Sequence, residues 1–155
     1  MEYDERSVTI VATLDDSNRA STVLSHASTL ASDLDEPLYV LHVLRRSTLA
    51  SVLEKEVKGQ AVTENYEIQR IGDELVEKAA VNTEITHDPD AIKTVVRVGD
   101  PAEEIRSYGE EVGARCIVVG GRRRSPTGKV LFGSVVQQVM LTASVPVLNV
   151  PTEND

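Results

Sequence analysis

The chain has 155 residues, of which 41 % are hydrophobic and 26 % are charged, a composition typical of one folded domain rather than a disordered chain. Its 25 acidic residues exceed its 16 Lys and Arg, and the net charge of −9 disfavours nucleic acid and anionic membranes as partners. A single cysteine excludes an intramolecular disulfide and a cysteine-rich metal site. Because no apolar run is long enough to span a membrane and the start is acidic, we expect one cytoplasmic domain over residues 1–155.

The first elements alternate between apolar strands and an amphipathic helix. The β-branched run Val8–Thr13 predicts a strand, and Asp16 or Ser17 offers an N-cap for the helix that follows. Apolar residues then recur every three or four positions and form one helix face, namely Ala20, Val23, Leu24, Ala27, Leu30, Ala31 and Leu34. Pro37 ends this helix. Residues 38–43 are apolar apart from His42, which predicts a second strand covered on both faces.

The middle of the chain predicts one long helix, one strand and a well-capped helix start. Residues 45–60 show no clear period and predict a loop or a short helix. A polar helix follows, with its apolar positions between residues 68 and 79, and Ile92–Val98 predicts the third strand. The segment Asp100-Pro101-Ala102-Glu103 has Asp, Pro and Glu at the positions preferred at a helix N-terminus.

The remaining elements complete a regular alternation of strands and helices. Cys116–Val119 predicts the fourth strand, which ends at Gly120-Gly121, and Gly133-Ser134 opens the last helix. Val145–Val150 predicts the fifth strand. Strand, helix and strand in repeated order predict a doubly wound, Rossmann-like α/β fold, in which an open parallel sheet carries helices on both faces.

The connection between the fourth strand and the last helix is the candidate site. It is longer than the roughly 2–6 residues usual for such loops, and longer connections are often functional. It contains four glycines and four cations, namely Gly120, Gly121, Gly128, Gly133, Arg122, Arg123, Arg124 and Lys129. Glycines let the backbone approach a ligand, and a helix start, here with Ser134 as the predicted cap, attracts phosphate. A solvated basic loop is the alternative interpretation.

The spacing of this loop matches a known motif. ATP-binding members of one family carry a glycine, two residues, a second glycine, nine residues, and then Gly-Ser or Gly-Thr. Gly120, Arg123 and Gly133-Ser134 fall at these positions, with Arg123 in place of the second glycine. Four further segments match in order, namely Leu14-Asp15-Asp16-Ser17, Leu41-His42-Val43, Val98-Gly99-Asp100-Pro101 and Ile117-Val118-Val119-Gly120. The whole chain thus resembles the universal stress protein family.

This resemblance implies a sheet of order 3-2-1-4-5 that binds ATP or another adenine nucleotide, with or without Mg²⁺, at the carboxyl ends of strands one, two and four. Asp15 would contact the ribose or lie near the phosphates' metal, and the Val43 backbone would meet the adenine edge. The implied pocket lining is Thr13, Leu14 and Val119, and the implied phosphate-binding set is Gly120, Gly133, Ser134 and the N–H of Val135. Arg123 would either bond phosphate oxygens or fill the space of a phosphate.

Two functions remain open from the sequence. The first is a nucleotide-binding regulatory protein of the stress response. The second is a nucleotide-free dimeric interaction module, with its pocket closed by Arg123 and with an unidentified protein partner. An enzyme is disfavoured because no Ser-His-Asp set or metal cluster is visible, so any ATPase activity should be slow. We expect His42 to be an interior histidine with its hydrogen bonds satisfied, and Cys116 to be a buried, inert thiol.

The fifth strand also predicts an oligomeric state. In the implied order it lies at the sheet edge, yet residues 145–150 are almost wholly apolar. An open apolar edge promotes aggregation unless something covers it. We therefore expect a homodimer paired through Val145–Val150, as the resemblance also implies.

Overall fold

The computed structural model describes residues 8–56, 64–81, 83–85, 87–121 and 132–152. The strands are β1 (Ile10–Thr13), β2 (Leu38–Leu44), β3 (Ile92–Val98), β4 (Cys116–Gly121) and β5 (Val147–Pro151). The helices are α1 (Arg19–Leu34), α2 (Arg46–Glu56), α3 (Glu64–Val81), α4 (Pro101–Glu111) and α5 (Ser134–Thr142). The five strands form one parallel sheet of order β3-β2-β1-β4-β5, which confirms the predicted order.

Helices cover both faces of the sheet, because alternate residues of each strand point to opposite sides. On one face α1 and α3 pack over strand residues that include Ile10, Ala12, Leu38, Val40, Cys116 and Val118. On the other face α4 and α5 pack over Val11, Leu41, Ile117 and Val119. Among the described residues, no helix is long and apolar enough to cross a membrane.

The register places the middle of the sheet between segments that are distant in the chain. Strand β1 pairs on one side with β2, with Ile10 opposite Leu38, and on the other side with β4, with Ile10 opposite Cys116. The strand order therefore reverses between β1 and β4, the position at which open α/β sheets bind ligands. The carboxyl ends of β1, β2 and β4 all lie at this edge.

Several strand boundaries differ from the sequence prediction. Strand β1 begins at Ile10 rather than Val8, and β2 ends at Leu44 rather than Val43. Residues 46–56 form the helix α2, one of the two predicted alternatives for that segment. Strand β5 spans Val147–Pro151 rather than Val145–Val150. Its pairing with β4 starts at Val147 because the preceding residue, Pro146, has no N–H and contributes only its carbonyl, which accepts from the N–H of Ile117 at 2.9 Å.

The start of α1 differs from both predicted caps. Asn18 occupies the N-cap position and makes no side-chain capping bond. Ser17 Oγ accepts instead from the N–H of Arg19 at 3.2 Å, one residue earlier than a standard cap bond. The Asp16 carboxylate turns away to α3, where it pairs with Lys78 Nζ at 3.1 Å.

The predicted N-cap of α4 is confirmed, whereas the predicted N-cap of α5 is wrong. The Asp100 carboxylate caps α4 by accepting from the N–H of Glu103 at 3.1 Å, with Pro101 in the first turn, as predicted. Ser134 is not the cap of α5, because it is the first residue of the helix. The N-cap is Gly133, whose extended backbone directs its carbonyl to the N–H of Gln137 at 3.0 Å.

Candidate functional site

A cavity of about 310 Å³ lies at the carboxyl ends of β1, β2 and β4. Its volume falls at the lower end of the roughly 300–1,000 Å³ usual for small-molecule sites. The cavity is lined by Thr13, Leu14, Asp15, Arg19, Ala20, Val23, Leu41, His42, Val43, Arg45, Pro101, Ile105, Gly120, Val135 and Val136. These residues come from three strand ends and from the helices α1, α4 and α5, so the folded sheet assembles the cavity from distant parts of the chain.

Six of the ten residues that the sequence analysis assigned to the site line this cavity, namely Thr13, Leu14, Asp15, Val43, Gly120 and Val135. Gly133 and Ser134 lie at the start of α5, directly before Val135, but do not line the wall. The structure differs at Val119, which is only 1 % exposed and packs between the sheet, α4 and α5, so its side chain does not reach the cavity. Arg123, Gly128 and Lys129 lie outside the described residues.

The end of β1 is fixed to both neighbouring strands. Thr13 Oγ1 donates to the carbonyl of Val118 at 3.3 Å, and the N–H of Leu14 donates to the carbonyl of Leu41 at 3.0 Å. Because these bonds hold the backbone on either side, the next residue, Asp15, leaves the sheet directly at the cavity.

His42 is a wall residue of the cavity and not the interior histidine that the sequence predicted. The side chain is half-buried, since β2 ends here at the open edge of the sheet. Nδ1 bonds to the carbonyl of Leu14 at 2.8 Å. Because a carbonyl can only accept, Nδ1 carries the proton in this bond, and Nε2 is the ring atom left for another partner.

Asp15 presents an accessible carboxylate beside the cavity. Its side chain is 61 % exposed, and one oxygen accepts from Arg19 Nη2 at 3.3 Å. The other oxygen accepts from the Ser17 hydroxyl. A carboxylate held in this way retains lone pairs that can accept from ligand hydroxyl groups.

The opposite wall of the cavity is apolar. It consists of Pro101 and Ile105 from α4, Val135 and Val136 from α5, and Val43 from β2. The cavity lining therefore combines aliphatic residues, from α4 and α5 among others, with polar residues at the ends of β1 and β2 and the start of α1. Such a lining suits a ligand that has one apolar, planar part and one polar part.

Sequence reasoning missed the two arginines of the cavity, Arg19 and Arg45, together with Pro101 and Ile105 of its apolar wall. The signal for Arg45 was available, because it directly follows the second strand and so stands at the carboxyl edge of the sheet. Arg19 and Pro101 begin helices that start at this same edge. Only the sheet order shows that these four positions converge.

Among the residues that the structure describes, no group of three or more His, Cys, Asp or Glu side chains is placed to hold a metal ion. Within that same part of the chain, Asp15 is the one carboxylate on the wall of the cavity. This donor set does not make a protein-built metal site.

Comparisons with known proteins agree with this architecture. The family model for the universal stress protein family matches residues 8–151. Universal stress protein G of Shigella flexneri is 33 % identical over 123 residues, which cover 79 % of this chain and 82 % of that protein. A solved universal stress protein from Archaeoglobus fulgidus is 30 % identical, with a TM-score of 0.62 over 92 % of this chain and 97 % of that one. A universal stress protein structure from the same organism in complex with dAMP is 26 % identical, with a TM-score of 0.56 over 92 % and 96 % of the two chains.

The fold and the cavity define a doubly wound α/β protein with a cavity at the reversal of its strand order. The chain belongs to the universal stress protein family.

Proposed function

We propose that this protein is a stress-response regulator that binds an adenine nucleotide in the cavity at the carboxyl ends of β1, β2 and β4. The observation that carries the proposal is the mixed lining of the cavity, in which aliphatic residues of α4 and α5 meet polar residues near the ends of β1 and β2. The family to which the chain belongs supports the stress-response role. A cytoplasmic location stays a prediction of the sequence.

The apolar wall suits the base. Adenine is flat and mostly apolar on its faces, so it gains free energy when it leaves water for aliphatic surface. Pro101, Ile105 and Val136 supply that surface, and Val43 at the end of β2 brings backbone groups to the same place. In the proposed arrangement the base lies here and its polar edge meets the Val43 backbone.

The polar wall and the start of α5 suit the ribose and phosphates. The accessible Asp15 carboxylate would accept hydrogen bonds from ribose hydroxyls. The first backbone bond of α5 runs from the N–H of Gln137 to Gly133, so the N–H groups of Ser134 and Val135 precede it and have no partner within the helix. Helix starts of this kind attract phosphate through those groups and the helix dipole.

A relative of known structure supports the ligand class, because the Archaeoglobus fulgidus universal stress protein was solved in complex with dAMP. The mechanism that follows from the cavity is regulatory. A nucleotide that bridges α4, α5 and the loops after β1 and β2 stabilises their mutual arrangement, and one-site binding at a hundredfold excess over Kd adds about 2.7 kcal/mol to the free energy of unfolding. Binding of the nucleotide would thus make this edge of the sheet more rigid, and that change is the regulatory signal.

Calorimetry with ATP, ADP, AMP and, as a base control, GMP tests the proposal, with a parallel measurement of Tm. We expect saturable binding of adenine nucleotides and a rise in Tm. Asp15→Asn should weaken binding, whereas Asp16→Asn, which alters an exposed carboxylate paired with Lys78 outside the cavity, should not. No heat and no thermal shift at millimolar nucleotide would overturn the proposal.

Whether Mg²⁺ takes part in nucleotide binding is a separate question. The donor set of the described residues does not fit a metal held by the protein alone, because Asp15 is its one cavity carboxylate. Repeating the calorimetry with and without Mg²⁺ measures whether a nucleotide-borne ion changes the affinity.

The second candidate, a nucleotide-free interaction module of the same fold, depends on Arg123. Arg123 lies outside the described residues, so variants must show whether its side chain binds phosphate or closes the pocket. If Arg123 pairs with phosphate, Arg123→Ala should weaken ATP binding by about 1.5–3 kcal/mol, the scale of a charged hydrogen bond. If the side chain closes the pocket, Arg123→Gly should create or tighten binding.

We also propose that two copies of the chain pair through β5. This strand lies at the edge of the sheet, and Leu148, its second residue, is 43 % exposed. An exposed apolar edge favours pairing with another strand, and a two-fold axis would place two copies of β5 side by side.

A further inference from the structure

Two arginines, Arg19 and Arg45, line the same cavity, one from the start of α1 and the other from the end of β2. Arg45 directly follows β2, and Arg19 follows the loop after β1. These strands are parallel neighbours in which Thr13 lies opposite Leu41, so their two following loops leave the sheet at the same edge. Two arginine residues thus border one cavity of about 310 Å³.

Arg19 occupies a position that helix physics disfavours for a cation. It is the first residue of α1, where the backbone N–H groups create a positive pole, and the first turn contains no acidic residue. A cation at this end repels the helix dipole. Positions that break a local rule in this way are often functional, because a compensating interaction must favour the residue.

The partners of the two arginines leave their side chains available for a ligand. The Arg19–Asp15 pair is separated by 3.3 Å, and the Asp15 side chain is 61 % exposed, so water screens the attraction. Asp15 would keep the Ser17 hydroxyl as a partner if Arg19 turned away. The carbonyl of Arg45 accepts from the N–H of Leu49 at 3.0 Å, whereas the Arg45 side chain is exposed and has no hydrogen bond or ion pair within the described ranges.

The charge of the cavity wall is opposite to that of the chain. Apart from His42, its charged residues are Arg19, Arg45 and Asp15, two cations and one carboxylate. The whole chain has a net charge of −9. A locally positive cavity on an acidic protein selects an anionic ligand, because the rest of the surface repels it.

We propose that Arg19 and Arg45 form a phosphate subsite of the cavity, on the α1 side and distinct from the start of α5. A guanidinium group presents a planar pair of donors that matches two phosphate oxygens. The inference rests on the proposed nucleotide function and deepens it, since the subsite makes the phosphorylated nucleotide, rather than the nucleoside, the preferred ligand. The phosphate bound there is either the 5′-phosphate or a phosphate carried on the ribose.

Calorimetry with four ligands tests the subsite, namely adenosine, AMP, ATP and adenosine 3′,5′-bisphosphate. The variants are Arg19→Gln and Arg45→Gln, and Arg106→Gln is the control. Arg106 lies on α4, pairs with Glu110 at 3.6 Å and does not line the cavity. The bisphosphate carries both kinds of phosphate, so each cavity variant should raise its Kd about tenfold, the equivalent of one charged hydrogen bond. The Kd of AMP and ATP should rise by the same factor if the 5′-phosphate is the one bound. The Kd of adenosine should stay within about twofold, as should every Kd in the control.

The ligand series identifies which phosphate is bound. A loss that is full for AMP assigns the 5′-phosphate, and a loss confined to the bisphosphate assigns a ribose phosphate. If the unmodified protein binds adenosine and the phosphorylated ligands equally well, or if both cavity variants leave every affinity unchanged, the subsite is refuted while the proposed function stands. If the unmodified protein binds none of the four, the proposed function falls and the subsite with it.

Discussion

A Cβ atom placed on Gly120 would lie 2.7 Å from Cγ2 of Val23, closer than packed carbon atoms approach. Val23 is a buried residue of α1 that also borders the cavity. The missing side chain at Gly120 therefore lets α1 pack tightly against the end of β4. This packing requires glycine whether or not a phosphate binds nearby.

The contact predicts a specific coupling between the two positions. Gly120→Ala should lower the free energy of unfolding by about 1–3 kcal/mol, the usual cost of overpacking a core. In the background of Val23→Ala the same change should cost less, because the clashing methyl group is gone. Urea denaturation of both single variants and the double variant measures the coupling, expected at about 0.5 kcal/mol or more. Strictly additive effects would contradict the packing explanation.

The capping carboxylate of α4 predicts a local effect on stability. Asp100→Ala removes the acceptor of the Glu103 N–H and should lower the free energy of unfolding by about 0.5–2 kcal/mol. Asp33→Ala, at an exposed position of α1, is the matched control and should change stability by less than about 0.5 kcal/mol. Equal effects of the two substitutions in urea titrations would argue against the cap.

The buried thiol of Cys116 predicts a loss of stability in alkali. Burial raises the pKa of this thiol, and the nearby Glu36 carboxylate acts in the same direction. Above pH of about 8.5 the unfolded chain loses the thiol proton while the folded chain keeps it, so the free energy of unfolding falls as the pH rises. Burial also raises the pKa of Tyr108, which adds to the fall at still higher pH.

Urea midpoints measured at pH 7.5, 9 and 10 check this dependence. The midpoint should fall across the series in the unmodified protein and fall less steeply in Cys116→Ala, which has no thiol to titrate. The thiol should also react slowly with a disulfide reagent under native conditions and rapidly in urea. Equal slopes in the two proteins would exclude Cys116 as a source of the pH dependence.

The proposed pairing through β5 is testable by size. Light scattering should give about twice the chain mass of 16.9 kDa. Leu148→Glu should yield a monomer or an aggregate, because a buried charge at a strand pair is unfavourable. Leu34→Glu is a matched control, since Leu34 is also 43 % exposed but lies at the end of α1, and it should leave the mass unchanged. A monomeric unmodified protein at micromolar concentration would refute the pairing.

The fold could be predicted from the sequence because its signals are periodic and local. The apolar runs of the strands and the cap at Asp100 depend on neighbouring residues, and the structure agrees with both. The sheet order could be predicted only from the resemblance of the motifs, in their order along the chain, to those of the universal stress protein family. Boundaries such as the start of β5 could not be predicted from the local sequence, because they depend on where pairing with another strand begins.

The site was only partly predictable because cavity walls depend on packing between distant segments. Residues within the recognised motifs, such as Asp15 and Val43, line the cavity. Val119 belongs to a motif but faces the core, since alternate strand residues point to opposite sides of the sheet. Arg19 and Arg45 belong to no motif, and their convergence follows from the pairing of β1 with β2.

The place of β1 at the middle of the sheet has a consequence for synthesis on the ribosome. Its register with β4 places Ile10 opposite Cys116, so one edge of β1 stays unpaired until the segment that contains Cys116 has been made. During that interval the emerging chain exposes Val11 and Ala12 beside an open strand, the kind of surface that chaperones protect. The cavity cannot exist on this nascent chain, because Gly120 and α5 form its last wall. Ligand-assisted folding could therefore act only after α5 has been made.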